Sequence, residues 1–279
     1  MKVETPHVSL KRIGYESVFR VWKKIHPDPD TGAPIFVIGS PRSGTTVFAE
    51  TLGKHPRLYN YAEAGKVWDP KNYDNPQADH HWTAEDLTAS DARRLRHRFA
   101  YRRWLNRGKT LVNKQPRNSV RIDYIRAIFP QARFIHIIRD GRSVVSSILT
   151  RADNEPKRKE VPFWRFCKPP DWRNLTGDDV ELAAKQWRGI VNYILSKRNA
   201  LGKSYTEIKY EDFCERPNDE LERILDFLEV DTDGDVLGRM LAVKLESQNY
   251  KFRQRFSESD VERINAIQRP LLEEFGYPL

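Results

Sequence analysis

Cysteine, long apolar runs and metal-ligand spacings are scarce or absent in this chain, and each absence narrows the possibilities. The 279 residues include two cysteines, Cys167 and Cys214, which are too few for a disulfide framework and lack metal-site spacing. A reducing compartment fits this composition. No apolar run reaches transmembrane length, and Met1–Pro6 contains no signal-peptide apolar core. These features predict a soluble, cytoplasmic protein, although a piece of an anchored protein would share them.

The charge balance of the chain is strongly basic. Its formal net charge is +9, and its sequence pI is about 9.5. Such a balance favours an anionic partner: a nucleotide, a sulfated or phosphorylated substrate, nucleic acid or an acidic membrane surface. Charge alone does not choose among them. Hydrophobic residues make up 39% of the chain, enough to bury a core.

One glycine-containing loop stands out, Gly39–Thr46, with the sequence GSPRSGTT. It follows the apolar run Ile35–Ile38 and leads into a helix-like segment, Val47–His55. Strand, turn and helix start together predict a phosphate cradle, because backbone N–H groups and the helix dipole attract an anion there. The lysine that follows the second glycine in ATP- and GTP-binding loops is missing: Thr45 stands in its place, and Arg42 is the loop's cation.

Wholly apolar strands that alternate with helices predict an α/β fold with a central parallel sheet flanked by helices, a three-layer P-loop-like domain. Ligands of such sheets bind at the carboxyl ends of the strands. The loops 39–46, 114–118 and 139–147 are therefore expected to meet at one edge. The predicted strands are 35–39, 111–114, 133–138 and 205–209, and the predicted helices are 47–55, 120–129, 141–150, 179–200, 220–228 and 257–275, the last with a capping box from Ser257 to Asp260.

We expect a lead-in arm, residues 1–33, and a single domain, residues 34–279. Residues 60–110 and 151–177 interrupt the alternation as helical and loop insertions. The first contains a strongly basic helix candidate, Ser90–Arg107, which reads either as an anion or nucleic-acid face or as a solvated face. The second reads as a lid or binding loop, or as a poorly ordered stretch.

A second motif, Arg139–Ser147, also follows an apolar strand and enters a helix. Arg139 at the strand end and Ser147 two turns later could clamp a second phosphate. Two anion sites on neighbouring strand ends suggest a nucleotide that carries phosphates at two separate positions.

The two motifs together, Pro41–Thr46 and Arg139-Asp-Gly-Arg with Ser147, resemble the signatures of the PAPS-dependent sulfotransferase family. PAPS is 3′-phosphoadenosine 5′-phosphosulfate. The resemblance extends to the segments Tyr210–Phe213 and Phe275–Tyr277 and spans roughly residues 34–279. It implies that Arg42 touches the sulfonate, and that PAPS is the donor with no metal required. The other implied donor contacts are Ser43, Gly44, Thr45 and Thr46 with the 5′-phosphate, Arg139 and Ser147 with the 3′-phosphate, and Tyr210 along the nucleotide.

The same resemblance also implies which residue is the general base. Small-molecule members carry Lys-x-His after the central strand, and here Lys114 matches while Pro116 replaces the histidine. Tyrosylprotein and glycan members instead place a glutamate after the first helix, as Glu63 does in this chain. Glu63 is therefore predicted to deprotonate the acceptor, and Lys114 to neutralise the departing oxygen. The alternatives are a surface carboxylate and a solvated strand-end lysine.

Other candidate residues give weaker indications of function. His136 within an apolar strand reads as a core histidine, and His80 and His81 have no partner at metal spacing. The resemblance implies that the basic segment 251–255 closes over the 3′-phosphate, and the alternative is a solvated run. The predicted acceptor is a hydroxyl of a glycan, glycolipid or other small molecule; the oligomeric state is unreadable. The competing functions are a divergent P-loop kinase, which would need Mg²⁺, and a basic nucleic-acid-binding protein, which no nucleic-acid motif supports.

Overall fold

Five parallel strands form the centre of the computed structural model, which describes residues 6–62, 65–153, 166–232, 235–241 and 249–279. Across the sheet their order is β2-β3-β1-β4-β5. Helices cover the sheet, so the predicted α/β class is confirmed. The strands are β1 (Ile35–Ile38), β2 (Leu58–Asn60), β3 (Thr110–Lys114), β4 (Arg133–Ile138) and β5 (Tyr205–Lys209).

Each predicted helix is present in the described ranges, and further helices occur that were not predicted, among them Pro6–Ile25 within the arm. No described helix is long and apolar enough to cross a bilayer. The last helix begins as predicted, because the Ser257 hydroxyl accepts a hydrogen bond from the Asp260 amide at 3.1 Å. The α-helices are α1 (Pro6–Ile25), α2 (Thr45–Leu52), α3 (Gly65–Trp68), α4 (Ala89–Leu105), α5 (Ile122–Ile128), α6 (Gly141–Asp153), α7 (Asp179–Leu201), α8 (Tyr210–Glu215), α9 (Pro217–Phe227), α10 (Val236–Met240), α11 (Lys251–Arg255) and α12 (Glu258–Glu274).

The central strand β1 is apolar at every position because both of its faces are covered. Phe36 and Ile38 point into a core cluster that also contains Phe134, whereas Ile35 and Val37 belong to the cluster on the opposite face. This alternation is the period of two that a strand imposes on successive side chains. Burial on both faces explains why β1 reads as a continuous apolar run.

The sheet register places three loops side by side at one edge. Val37 of β1 pairs with Lys114 of β3, and Ile38 pairs with His136 of β4. The segments that follow β3, β1 and β4 therefore leave neighbouring positions on the carboxyl edge, as predicted. His136 itself is a core residue, as expected: it is fully buried, its Nδ1 lies 2.8 Å from the Tyr205 hydroxyl, and burial lowers its pKa to about 3.

The basic helix α4 carries the N-terminal arm. Arg98 makes two hydrogen bonds of 2.8 Å to the Glu16 carboxylate of α1, and Arg96 and Arg103 pair with Asp28 and Asp30. Neither of the two interpretations of this helix, a solvated face or an anion-binding face, therefore describes its surface fully. Much of its positive charge pairs with acidic residues of segment 16–30, a contact that helical periodicity within α4 cannot reveal.

Candidate functional site

The first loop leaves β1 at Gly39, where any other residue would force the neighbouring strand β4 to move. Gly39 has a φ of 150°, and a Cβ added there would lie 2.5 Å from the carbonyl oxygen of Ile137 on β4. Ser119 fixes the same glycine by accepting from its amide at 3.0 Å and donating to its carbonyl at 2.8 Å. The start of the loop thus packs against β4 and is hydrogen-bonded to the segment that follows β3.

At the other end of the loop, Gly44 caps α2 and packs against an aromatic ring. Its φ is 89°, and an added Cβ would lie 2.2 Å from Cδ2 of Tyr210. Thr45 begins α2, whose N-terminus is the electropositive end that suits a bound anion. The Ser43 hydroxyl is buried and has no hydrogen-bond partner among the described residues. A phosphate oxygen would supply the acceptor or donor that this hydroxyl lacks.

Arg42 connects the first loop to the second motif. It has a left-handed backbone with φ of 74°, and its Nε donates to the Ser147 hydroxyl of α6 at 3.0 Å. Partial burial, followed by the positive charges of Arg151 and Arg139, lowers the pKa of Arg42. An arginine whose pKa is lowered by neighbouring cations marks a place where an anion would be stabilised.

Arg139 faces the same region from the end of β4. One of its terminal nitrogens donates to the Arg42 carbonyl at 3.1 Å, and its Nε donates to Asn249 Oδ1 at 3.0 Å. Its guanidinium carbon lies 4.8 Å from the centroid of the Tyr210 ring. Burial, with a smaller contribution from Cys214, raises the pKa of Tyr210 to about 12, so the ring is a neutral wall shared by both loops.

Two other residues of the second motif have structural contacts. Asp140 and Arg142 form a buried ion pair at 2.7 Å, and Arg142 also donates to the Pro278 carbonyl at 2.6 Å. Of the two arginines in Arg139-Asp-Gly-Arg142, only the first contacts Arg42 and Tyr210 in the described part of the chain. The second one ties the start of α6 to the C-terminal segment.

Glu211 contacts both ends of this region, although no role for it was predicted from the sequence. Its carboxylate accepts from the Asp140 amide at 3.0 Å, from the Tyr277 hydroxyl at 2.8 Å and from the Asn249 side-chain amide. Because Asn249 in turn accepts a hydrogen bond from Arg139, Glu211 orients Arg139 indirectly. The only sequence signal was its place in the segment Tyr210–Phe213.

Lys114 lies at the carboxyl end of β3, beside β1, and its side chain is buried. The residues on either side of it contact the strand end of β2. Asn113 Nδ2 donates to the Tyr61 carbonyl at 2.5 Å, and a Cβ added to Gly65 would lie 2.5 Å from Gln115 Nε2. Glu63 lies outside the described residues, but Tyr61 and Gly65 flank it closely in sequence.

The described parts of the two insertions contact each other near this edge. Lys168 donates to the carbonyls of Pro76 and Ala78, each at 2.7 Å, and its ammonium lies 3.7 Å from the Trp172 ring centroid. Burial lowers the pKa of Lys168 to about 8. The predicted lid includes residues 154–165, which lie outside the described residues.

The structure also locates the remaining residues that were singled out in the sequence. Thr45 is buried at the start of α2, whereas Thr46 is exposed. No group of three or more potential metal-ligating side chains occurs among the residues that the structure describes. His80 is buried, and its Nδ1 accepts from the Lys168 amide at 3.0 Å. Lys251 to Arg255 form α11, and Arg255 pairs with Asp153 at 2.8 Å.

Comparison with known proteins adds an independent observation. A model of the sulfotransferase family matches residues 34–234. Protein-tyrosine sulfotransferase A of Caenorhabditis elegans is 24% identical over 212 residues, which cover 73% of this chain and 51% of that protein. The chain thus spans about half the length of this relative.

Two solved structures share the fold. Sulfotransferase STF9 from Mycobacterium avium aligns with a TM-score of 0.61 and 17% identity, covering 94% of this chain and 82% of that chain. Mouse sulfotransferase SULT7A1, solved in complex with PAP, aligns with a TM-score of 0.50 and 14% identity, covering 88% of both chains. At this level of identity the alignments establish the fold alone.

Proposed function

The chain belongs to the sulfotransferase family, and from this premise we propose that it transfers a sulfuryl group from PAPS to a hydroxyl group of an acceptor. The donor is a substrate with anionic groups at two positions, the 5′-phosphosulfate and the 3′-phosphate. Its product would be PAP, the nucleotide bound in the mouse structure of the same fold.

The observation that carries this proposal is the junction of two anion-binding strand ends. The hydrogen bond of 3.0 Å between Arg42 Nε and Ser147 Oγ joins the loop after β1 to the helix after β4. The buried, unpartnered hydroxyl of Ser43 lies in the first loop, and the guanidinium of Arg139 lies in the second motif. A ligand with two separated anionic groups matches this arrangement better than a linear triphosphate does.

The donor contacts follow the two loops. Ser43, Gly44, Thr45 and Thr46 would hold the 5′-phosphate at the N-terminus of α2. Arg139 and Ser147 would hold the 3′-phosphate, with Tyr210 along the nucleotide. Arg42 would neutralise charge on the sulfuryl group, and for this it must exchange its hydrogen bond with Ser147 for one with the donor.

Catalysis would take place beside Lys114. Glu63 would accept the proton of the acceptor hydroxyl, whose oxygen forms the new S–O bond. The S–O bond to the 5′-phosphate breaks, and Lys114 would neutralise the oxygen that departs with PAP. The contacts of Tyr61 with Asn113 and of Gly65 with Gln115 support this role, because they bring both flanks of Glu63 to the neighbours of Lys114.

The acceptor would enter between the two insertions, whose described parts meet at Lys168. A glycan, a glycolipid or another small molecule with a hydroxyl group fits a carboxylate base. Trp82 and Trp172 would offer aromatic surface to such an acceptor.

The test is a transfer assay with sulfur-labelled PAPS, fractionated extract and EDTA. We expect label to move to an acceptor without Mg²⁺, and mass spectrometry identifies the product. Glu63→Gln should abolish turnover and leave PAP binding nearly unchanged. Glu222→Gln, an exposed carboxylate on α9, is the matched control and should be silent. Mg²⁺-dependent transfer of phosphate from ATP would refute the proposal in favour of a kinase, and full activity of Glu63→Gln would remove this residue from the mechanism.

A further inference from the structure

One face of the N-terminal region exposes most of the large apolar side chains that the described residues present to solvent. Five of the seven large hydrophobic residues in this class lie on α1 and the last turn of α4. They are Val18, Val21, Ile25, Trp104 and Leu105, with exposures of 51%, 64%, 69%, 54% and 42%. We refer to these five residues as the apolar strip.

The strip is continuous because of helix geometry and one aromatic contact. Val18, Val21 and Ile25 are spaced at i, i+3 and i+7 and share one side of α1. Trp22, which is buried against α4, lies next to this side, and its ring centroid is 6.2 Å from that of Trp104. Exposed apolar side chains grouped in this way mark an interaction site.

Cations flank the strip, and we call three of them the basic frame. Arg20 and Lys24 lie on α1 next in sequence to Val21 and Ile25, and Arg107 follows Leu105 by two residues. All three are exposed, and none of them makes an ion pair with another residue that the structure describes. The acidic residues of the same region are already used, because Glu16, Asp28 and Asp30 pair with arginines of α4. The local surface is therefore apolar and positively charged.

We propose that the apolar strip and its basic frame dock the protein on the surface of an anionic lipid bilayer. Apolar side chains and a tryptophan enter the headgroup boundary, and the cations interact with anionic lipids; this is how interfacial helices bind. A second copy of the chain fits the same face less well, because two basic frames would repel each other. This inference does not depend on the proposed function.

The experiment is flotation with vesicles of phosphatidylcholine alone and of phosphatidylcholine with one third phosphatidylserine. The full chain should float with the anionic vesicles and stay in solution with the neutral ones. Ile25→Asp should abolish flotation, and Lys24→Gln should weaken it about fivefold. Matched controls are Leu279→Asp, which changes an apolar residue of 48% exposure, and Lys203→Gln, which changes an exposed lysine; both should float like the unchanged protein.

Two further measurements keep the proposal falsifiable. Near-ultraviolet circular dichroism should be unchanged in Ile25→Asp, so that lost flotation reports on the surface. Equal flotation of Ile25→Asp and Leu279→Asp would overturn the proposal. It would also be overturned if sedimentation revealed a dimer that Ile25→Asp dissociates while no vesicles are bound, or if soluble glycerophosphoserine competed fully with the vesicles.

Discussion

Replacement of Gly44 by alanine tests whether the first loop must rest on the Tyr210 ring to bind an anion. The new Cβ would lie 2.2 Å from Cδ2 and 2.5 Å from Cε2 of that ring. Carbon atoms in contact are separated by about 3.5 Å, so the loop or the ring must move by roughly 1 Å. Left-handed backbone adds about 1–2 kcal/mol of strain.

A displaced loop would lose one charge-assisted hydrogen bond to the 5′-phosphate. At about 1.5–3 kcal/mol, this predicts a loss of PAP affinity of roughly tenfold to a hundredfold for Gly44→Ala. Titration calorimetry with PAP measures the affinity, and urea unfolding measures the stability.

The variant Gly108→Ala distinguishes the effect of backbone strain from the effect of the steric clash with Tyr210. Gly108 also has a positive φ, 76°, but nothing lies within 4 Å of its added Cβ. We expect it to destabilise the fold by about 1–2 kcal/mol and to leave PAP affinity unchanged. The reasoning fails if Gly44→Ala binds PAP within twofold of Gly108→Ala.

Three further predictions use the same assays. Arg139→Ala should weaken PAP binding roughly tenfold to a hundredfold and leave 5′-AMP binding unchanged, because the lost contact is to the 3′-phosphate; an equal loss for both nucleotides contradicts this role. Glu211→Gln should weaken PAP binding several-fold through Asn249, whereas Glu215→Gln on the same helix should not. Burial lowers the pKa of His80 to about 2 and of His136 to about 3, so the folded state excludes protons that the unfolded chain binds below about pH 6.5. Stability should therefore fall by about 2 kcal/mol per histidine between pH 7 and pH 5 in urea unfolding, and His136→Gln should remove about half of that loss.

Much of the fold could be predicted because its central strands are buried on both faces. Four of the five strands could be predicted, β1 and β4 as apolar runs, and their parallel direction follows from the helices between them. The strand β2 was not predicted because its three residues, Leu58–Asn60, are too few to show a pattern. The helix α1 escaped because its role depends on α4: Glu16 and Asp28 find their partners only in three dimensions.

The candidate site, like the fold, could be predicted only in part. The loops could be predicted from local sequence, since glycine, strand end and helix start are contiguous there. The clamp of Ser119 on Gly39 could not be, because the two residues are 80 positions apart. Glu211 and Asn249 were missed for the same reason. The contact between Arg42 and Ser147 was not expected either, because the resemblance assigns the two residues to opposite ends of the donor.

The central claim is that two separate anion sites at the carboxyl edge of the sheet recognise one nucleotide. Calorimetric titration of the protein with PAP and with 5′-AMP, both in EDTA, tests it most directly. The account predicts that PAP binds at least about tenfold more tightly, because only PAP engages Arg139 and Ser147 through a 3′-phosphate. Equal affinities for the two nucleotides would contradict it.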